Sequence, residues 1–356
     1  MELNMSDRKI RIGFVGVGGM GQSAHLKNYV LTPGCEVAAI SEPRQQVREK
    51  VAARYGIAKN YSTAEEMLAK EKLDGLVASQ PFTRHGVLVP EILKARVPVF
   101  TEKPLAGSIE VGQEILSALE KSGTWHMLGY HKRSDPATMY AKAEIDKLKA
   151  SGEIGKMKYV RILMPAGDWI AGGFSDLINS DEEVEGMKWD PPAKDMDEKT
   201  YKSYTDFVNY YIHQVNLMRH LLGERYRVTY ADPSGVVFAG QADSGVACVI
   251  EMTPYETTID WQESALIGFE RGYVKLELPA PLASNRPGRV EIFKDPGKGA
   301  VPQTTIPQLP SVHAMRQQAA NFVKAIQGEM KPLCEAAEAM EDLKVAREYI
   351  RLRFGK

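Results

Sequence analysis

Two short stretches carry side chains able to move protons. Glu102-Lys103-Pro104 closes an apolar run, and residues 206–223, DFVNYYIHQVNLMRHLLG, set Asn209, His213, Asn216 and His220 four, three and four positions apart. On a helix that spacing makes one polar stripe, with Leu217, Met218, Leu221 and Leu222 on the buried side. Histidine exchanges protons near neutral pH. A lysine at the end of a buried strand that loses part of its hydration has a lowered pKa, and can then donate to a substrate hydroxyl or trade protons with it. Both residues also have bland readings, a satisfied structural histidine and an exposed lysine in a turn, and residue type alone leaves the choice open. No metal is expected, because HExxH and CxxC spacings are missing and His213 and His220 lie two turns apart.

A third stretch binds rather than reacts. Residues 9–21, KIRIGFVGVGGMG, read as a buried strand that ends in Gly16-x-Gly18-x-x-Gly21. Gly16 permits the tight turn, Gly18 lets backbone approach a pyrophosphate, and Gly21 allows close packing of helix on strand; Gly19 and Met20 complete the turn. A second strand at 36–41 delivers Glu42 about twenty residues past the last glycine, where dinucleotide folds place the acid that binds ribose. The expected cofactor is NAD in preference to NADP, since a carboxylate accepts from a 2′-hydroxyl and repels a 2′-phosphate. Arg44, two residues on, softens that repulsion.

The elements that position these groups follow from the alternation of the chain. After the first unit come a helix at 45–55, a short strand at 59–61 and a helix from Thr63, for which Ser62 and Glu65 read as a capping box. Further strands at 73–79, 98–101 and 125–129 alternate with helices at 85–95 and 108–122. This is an α/β pattern, a doubly wound parallel Rossmann sheet with its crevice at the carboxyl ends of the strands, where Gln80, Glu102 and Tyr130 fall. Beyond Gly129 a helix at 136–150 and a strand at 158–164 lead into a long loop at 165–199, then a helix at 205–222. Six alternating runs between 227 and 293 predict an open-faced, mostly antiparallel sheet, and helices at 312–326 and 335–352 close the chain. The expected domains are 1–128 and 129–356, with the final helices free to pack back on the first.

Composition sets the outer bounds. A chain of 356 residues favours two domains, and 44% apolar with 26% charged residues is ordinary for a globular protein. A net charge of −1 offers no broad field for nucleic acid or anionic membrane. Cys35, Cys248 and Cys334 are odd in number and far apart, which suits a reducing compartment, and no apolar leader or membrane span is evident; the expected location is cytoplasmic. An open sheet with one uncovered face predicts a symmetric homodimer or homotetramer.

The combination of IGFVGVGGMG, SQPFTRHGVLVPEILKARVPVFTEKPLA and YIHQVNLMRHLLG resembles the Gfo/Idh/MocA family of glucose-fructose oxidoreductase-like and inositol dehydrogenase-like proteins. The resemblance implies an N-terminal domain that binds NAD or NADP and a C-terminal sheet that supplies the substrate site and the oligomer interface. It implies that Lys103 contacts substrate and nicotinamide, that His213 is the acid/base, and that Gln80-Pro81 and His85 run beside the cofactor, as does Glu102. One departure stands out: the aspartate that often precedes the catalytic histidine by four residues is here Asn209, which can orient an imidazole but cannot stabilise its cation by charge. Asp206, a turn earlier, is the available substitute. Tyr201, Tyr204, Tyr210 and Tyr211 replace a glycine-rich lead-in and suit a sugar face or plain packing. The expected substrate contacts are Lys103, Tyr130, Lys132, Asp168, Trp169, Trp189, Asn209, Tyr210 and His213. The function this implies is hydride transfer between nicotinamide and a secondary hydroxyl of a sugar, glycoside or cyclitol. The alternatives are a glycosidase that retains NAD and oxidises its sugar transiently, and a non-catalytic NAD-binding sensor.

Overall fold

The computed structural model describes residues 8–355, which divide into two compact units. One comprises the chain up to Tyr130 together with Gly173–Asp195 and Met315–Met340; the other comprises His131–Gly172, Met196–Ala314 and the residues from Glu341 onward.

The first unit is built on six parallel strands, β1 (Ile10–Val15), β2 (Cys35–Ser41), β3 (Asn60–Tyr61), β4 (Gly75–Ala78), β5 (Val99–Thr101) and β6 (His126–Leu128), in the order β3-β2-β1-β4-β5-β6. Helices α1 (Lys27–Val30), α2 (Gln45–Tyr55), α3 (Ala64–Lys70), α4 (His85–Leu93) and α5 (Ile109–Ser122) connect them. The strand order reverses between β1 and β4, so the crevice for a ligand opens at the carboxyl ends of those two strands. Gly16 follows β1 there with φ +87°, and a Cβ on it would lie 2.1 Å from Gln80 Nε2 and 2.7 Å from the Ser79 carbonyl. Only glycine lets the two strand ends come that close.

The apolar centre of this unit is an aromatic cluster. Phe322, on the returning helix Ala314–Ile326, meets Tyr29, Phe100 and Trp125 edge-on with centroids 6.2, 5.7 and 5.4 Å away. Ala319, Phe322 and Val323 are one helical face of that segment, and all three are buried in the same core. A Cβ at Gly75 would lie 2.6 Å from the Ile326 side chain, so a bare backbone on β4 admits the helix.

The second unit carries α6 (Pro136–Ser151), α7 (Glu198–Tyr210), α8 (Ile212–Leu222) and an eight-stranded sheet. Its strands are β7 (Met157–Ala166), β8 (Tyr226–Ala231), β9 (Val237–Ala242), β10 (Ala247–Glu256), β11 (Glu263–Phe269), β12 (Gly272–Leu278), β13 (Arg289–Lys294) and β14 (Gln303–Thr305), ordered β14-β13-β12-β11-β7-β10-β9-β8. Every neighbouring pair is antiparallel except β7 with β10. Burial alternates strictly along β11, which is the signature of a sheet covered on one face.

Two local expectations change. The cap of α3 is Thr63, whose side chain accepts from the Glu66 N–H at 3.1 Å, not the Ser62/Glu65 pair, because the helix starts one residue later. The single helix expected at 205–222 is two, beginning at Glu198 and divided at Tyr211, whose φ −91° and ψ −4° depart from regular helical values although its N–H still bonds the Phe207 carbonyl at 2.7 Å. The stripe from Asn209 to His213 therefore crosses a break.

Candidate functional site

In the first unit the glycine turn runs directly into the wide helical turn Gly21–Leu26, whose start carries no side-chain cap and whose first turn carries no acid. A helix start with no side-chain cap and no acid in its first turn fits a pyrophosphate, so the residues present suit a dinucleotide. Glu42 lies at the end of β2 beside this turn and is 3% exposed. One carboxylate oxygen accepts from the Val17 N–H at 3.1 Å, and the other accepts from Arg44 Nε at 2.7 Å. The glycine turn is thus tied to the residue expected to read the ribose. On the far side of the crevice Gln80 Oε1 accepts from Arg84 Nη1 at 2.9 Å, and Pro81 leads into the short turn Phe82–Arg84.

Glu102 and Lys103 follow β5. The buried Glu102 carboxylate accepts from His25 Nε2 at 2.6 Å through one oxygen and from the Lys103 backbone N–H at 3.2 Å through the other. Burial alone would raise this carboxyl, but the His25 hydrogen bond and the His25 and Lys103 charges hold it below its ordinary value. Glu102 therefore joins the helix that follows the glycine turn to the backbone of Lys103, whose side chain is half-buried at a cis Lys103–Pro104 bond. His85 lies beneath the same turn, fully buried, with Nδ1 3.1 Å from the Leu105 carbonyl and its pKa lowered by that burial. Tyr130 is buried at 2% exposure. Trp189, 53% exposed, lies under the Arg84 guanidinium at 5.8 Å.

The second unit holds its own polar centre. His213 opens α8 half-buried, and its ring meets that of buried His131 edge-on, centroids 4.6 Å apart. Lys132 is 3% exposed and its ammonium donates to Glu263, which also accepts from Gln214 Nε2 at 2.7 Å and Trp261 Nε1 at 3.1 Å. Lys132 is thus an internal cation held by a buried carboxylate. Asp168 receives the N–H groups of Ile170 and Ala171 at 3.0 Å each, and the Trp169 carbonyl receives Leu282 N–H at 3.2 Å, so both residues shape the end of their loop. Tyr210 stacks edge-on against Tyr211 at 5.0 Å, and Asn209 is exposed on the last turn of α7. Asn216 leaves the predicted stripe for the interior, accepting from Arg133 Nε at 2.7 Å and donating to Asp342 at 2.7 Å.

Comparison with known proteins now adds a family. Residues 10–130 match the model described as "Oxidoreductase family, NAD-binding Rossmann fold". Through those residues the chain is similar to the Gfo/Idh/MocA family. A scyllo-inositol 2-dehydrogenase (NAD(+)) of Bacillus subtilis is 30% identical over 156 residues, 44% of each chain, and the myo-inositol 2-dehydrogenase of Thermotoga maritima is 23% identical over 74% of this chain and 71% of its own. The chain spans less than half the length of the first inositol dehydrogenases it matches. An oxidoreductase from Agrobacterium radiobacter, solved with NAD+, L-tartaric acid and magnesium, superposes with a TM-score of 0.70 at 14% identity, covering 98% of this chain and 97% of its own, which shows a shared fold.

Three side chains escape a reading of the sequence: His25, His131 and Glu263. His25 falls four residues after Gly21, one helical turn on, which puts it on the face that packs against the sheet. Glu263 shares the buried parity of Ala265, Ile267 and Phe269, so a period-2 count along β11 flags a carboxylate on the covered face. His131 has no such signal, because its partner lies 82 positions away.

Proposed function

We propose that this chain is an NAD-dependent oxidoreductase that moves a hydride between nicotinamide and a secondary hydroxyl or ketone of a sugar, glycoside or cyclitol. The observation that carries the reading is Lys103, fixed through Glu102 and His25 to the helix that follows the glycine turn. The nicotinamide, when bound, supplies the hydride acceptor. Lys103 polarises the reacting oxygen, and His213 takes or returns its proton, with His131 packed on its ring. Inositol dehydrogenases among the relatives favour a polyol or cyclitol, and the ring of Tyr210 offers such a substrate an amphipathic surface. Incubating the protein with NAD+ and a panel of inositols, aldoses and glycosides, and following reduced nicotinamide, tests the proposal. Net reduction with a member of the panel supports it, whereas glycoside cleavage with no net change in cofactor redox state would assign the chain to the glycosidases.

NAD should bind more tightly than NADP. Glu42 stands at the end of β2 with its charge beside the ribose position, where a 2′-phosphate would be repelled. Fluorescence titration with both dinucleotides checks this, and tighter binding of NADP would remove Glu42 from its assigned role.

A symmetric homo-oligomer is the second expectation. Along β7, Tyr159, Arg161 and Leu163 alternate half-exposed with buried Val160, Ile162 and Met164, so one sheet face keeps a partly apolar, solvent-touching surface. Sedimentation should report a dimer or tetramer at micromolar concentration; a monomer throughout would contradict the expectation.

A further inference from the structure

Residues 173–195, although they follow β7 in the chain, belong to the first unit and lie along the crevice edge of its sheet. Gln22, on the turn after the glycines, exchanges two hydrogen bonds with Ile178, at 2.9 and 3.0 Å. Phe174 and Leu177 come within 4.0 Å of where a Cβ on Gly19 would be. Asp190 receives the N–H groups of Gly86 and Val87 at 2.9 Å each and so caps α4. At the centre of this segment is Glu182, whose carboxylate accepts from the Gln46 N–H in the first turn of α2 at 2.9 Å and from Ser180 Oγ at 2.8 Å.

The start of α2 is an unusual place for a borrowed carboxylate. The helix begins three residues after Glu42, its own N-cap residue is Arg44, and Arg44 makes no side-chain cap. An anion recognised here would take the exposed N–H groups of the first turn and the Arg44 guanidinium, which is how a Rossmann unit accommodates the 2′-phosphate of NADP. Both receivers are already engaged by carboxylates of this chain. Arg44 Nε is on Glu42 at 2.7 Å, and Gln46 N–H is on Glu182. Desolvation pushes the Glu182 carboxyl upward, yet the Ser180 hydroxyl and the N–H groups of Gln46, Gln45 and Val47 hold it below its ordinary value, so it is charged at neutral pH.

We propose that Glu182 is a cofactor-discriminating residue: it occupies the α2 N-terminus in place of a 2′-phosphate and, together with Glu42, excludes NADP. This rests on the dinucleotide reading of the glycine turn. It adds to that reading a determinant 140 positions from Glu42, on a segment outside the residues 10–130 that match the family. Glu42 denies the phosphate a neutral ribose pocket, and Glu182 denies it the helix dipole.

The test is cofactor binding, read by fluorescence titration and by the melting shift each dinucleotide produces, in the full chain. Glu182→Gln keeps an acceptor for the Gln46 N–H but removes the charge. The ratio of NADP affinity to NAD affinity should rise on the order of tenfold, as expected for relieving one like-charge contact. Glu182→Lys should raise it further. Glu185→Gln, an exposed neighbour on the same segment, should leave the ratio where it is. An unchanged ratio in Glu182→Gln, or an equal rise in Glu185→Gln, would overturn the proposal while leaving NAD binding intact. Wild-type protein that binds neither dinucleotide would overturn both the proposal and the reading beneath it.

Discussion

Lys103→Met should abolish most turnover and leave NAD binding nearly unchanged. The substitution keeps the length of the stem but removes the charge and the donor, and a group that acts in the transition state costs on the order of a hundredfold or more when lost. The Glu102 carboxylate accepts from the backbone N–H of residue 103, which the substitution keeps, so the His25–Glu102 contact survives the change and the glycine turn stays tied. His213→Asn should produce a loss of similar size. The double variant should be little worse than either single, as expected of residues that serve one proton path. Near wild-type turnover by Lys103→Met that still binds NAD would move the reading toward a sensor. A melting curve with each variant separates loss of chemistry from loss of fold.

Asp342→Asn should cost the second unit about 3–5 kcal/mol of stability, the usual consequence of removing one partner of a buried ion pair. Asp342 is fully buried and receives Arg219 Nε at 3.0 Å, Arg219 Nη2 at 2.9 Å and the Asn216 amide at 2.7 Å. Asn216 in turn accepts from Arg133, so one carboxylate organises α8 and the turn that carries His131 and Lys132. Without it the Arg219 guanidinium, whose side chain is 8% exposed, is left in the interior with an amide in place of a charge. Urea denaturation should show a lower midpoint with an unchanged slope. Adding Arg219→Met should recover part of the loss, because the uncompensated charge goes with it. Equal midpoints for wild type and Asp342→Asn would mean that the network contributes nothing to holding α8.

Much of the first unit is legible in the sequence because each of its strands is a local apolar run. Ile12, Phe14 and Val15, or Leu76 and Val77, are buried on both faces, and nothing distant is needed to recognise them. The glycine turn and Glu42 are legible for the same reason, as fixed spacings within about thirty residues. Groups whose partners are remote are not legible. The cap of α2 comes from Glu182, 136 positions from the N–H it receives, and Glu102 finds its hydrogen-bond partner in His25, 77 positions back. Lys132 is an expected substrate contact, and its ion pair with Glu263 becomes visible only once β11 is beside it. The helix expected at 205–222 fails at Tyr211 for a different reason. Aromatic residues are helix-compatible, so propensity gives no warning of a break set by where Phe207 and Tyr211 pack, 6.1 Å apart, and by the bond of Tyr211 to Thr253.

The most direct measurement is of the hydrogen itself. With the substrate that emerges from the panel prepared with deuterium on its carbinol carbon, wild-type protein and NAD+ should yield reduced nicotinamide carrying the label, in step with formation of the ketone. Ketone formed with no label on the nicotinamide, or substrate consumed with the cofactor unchanged, would contradict hydride transfer as the function of this chain.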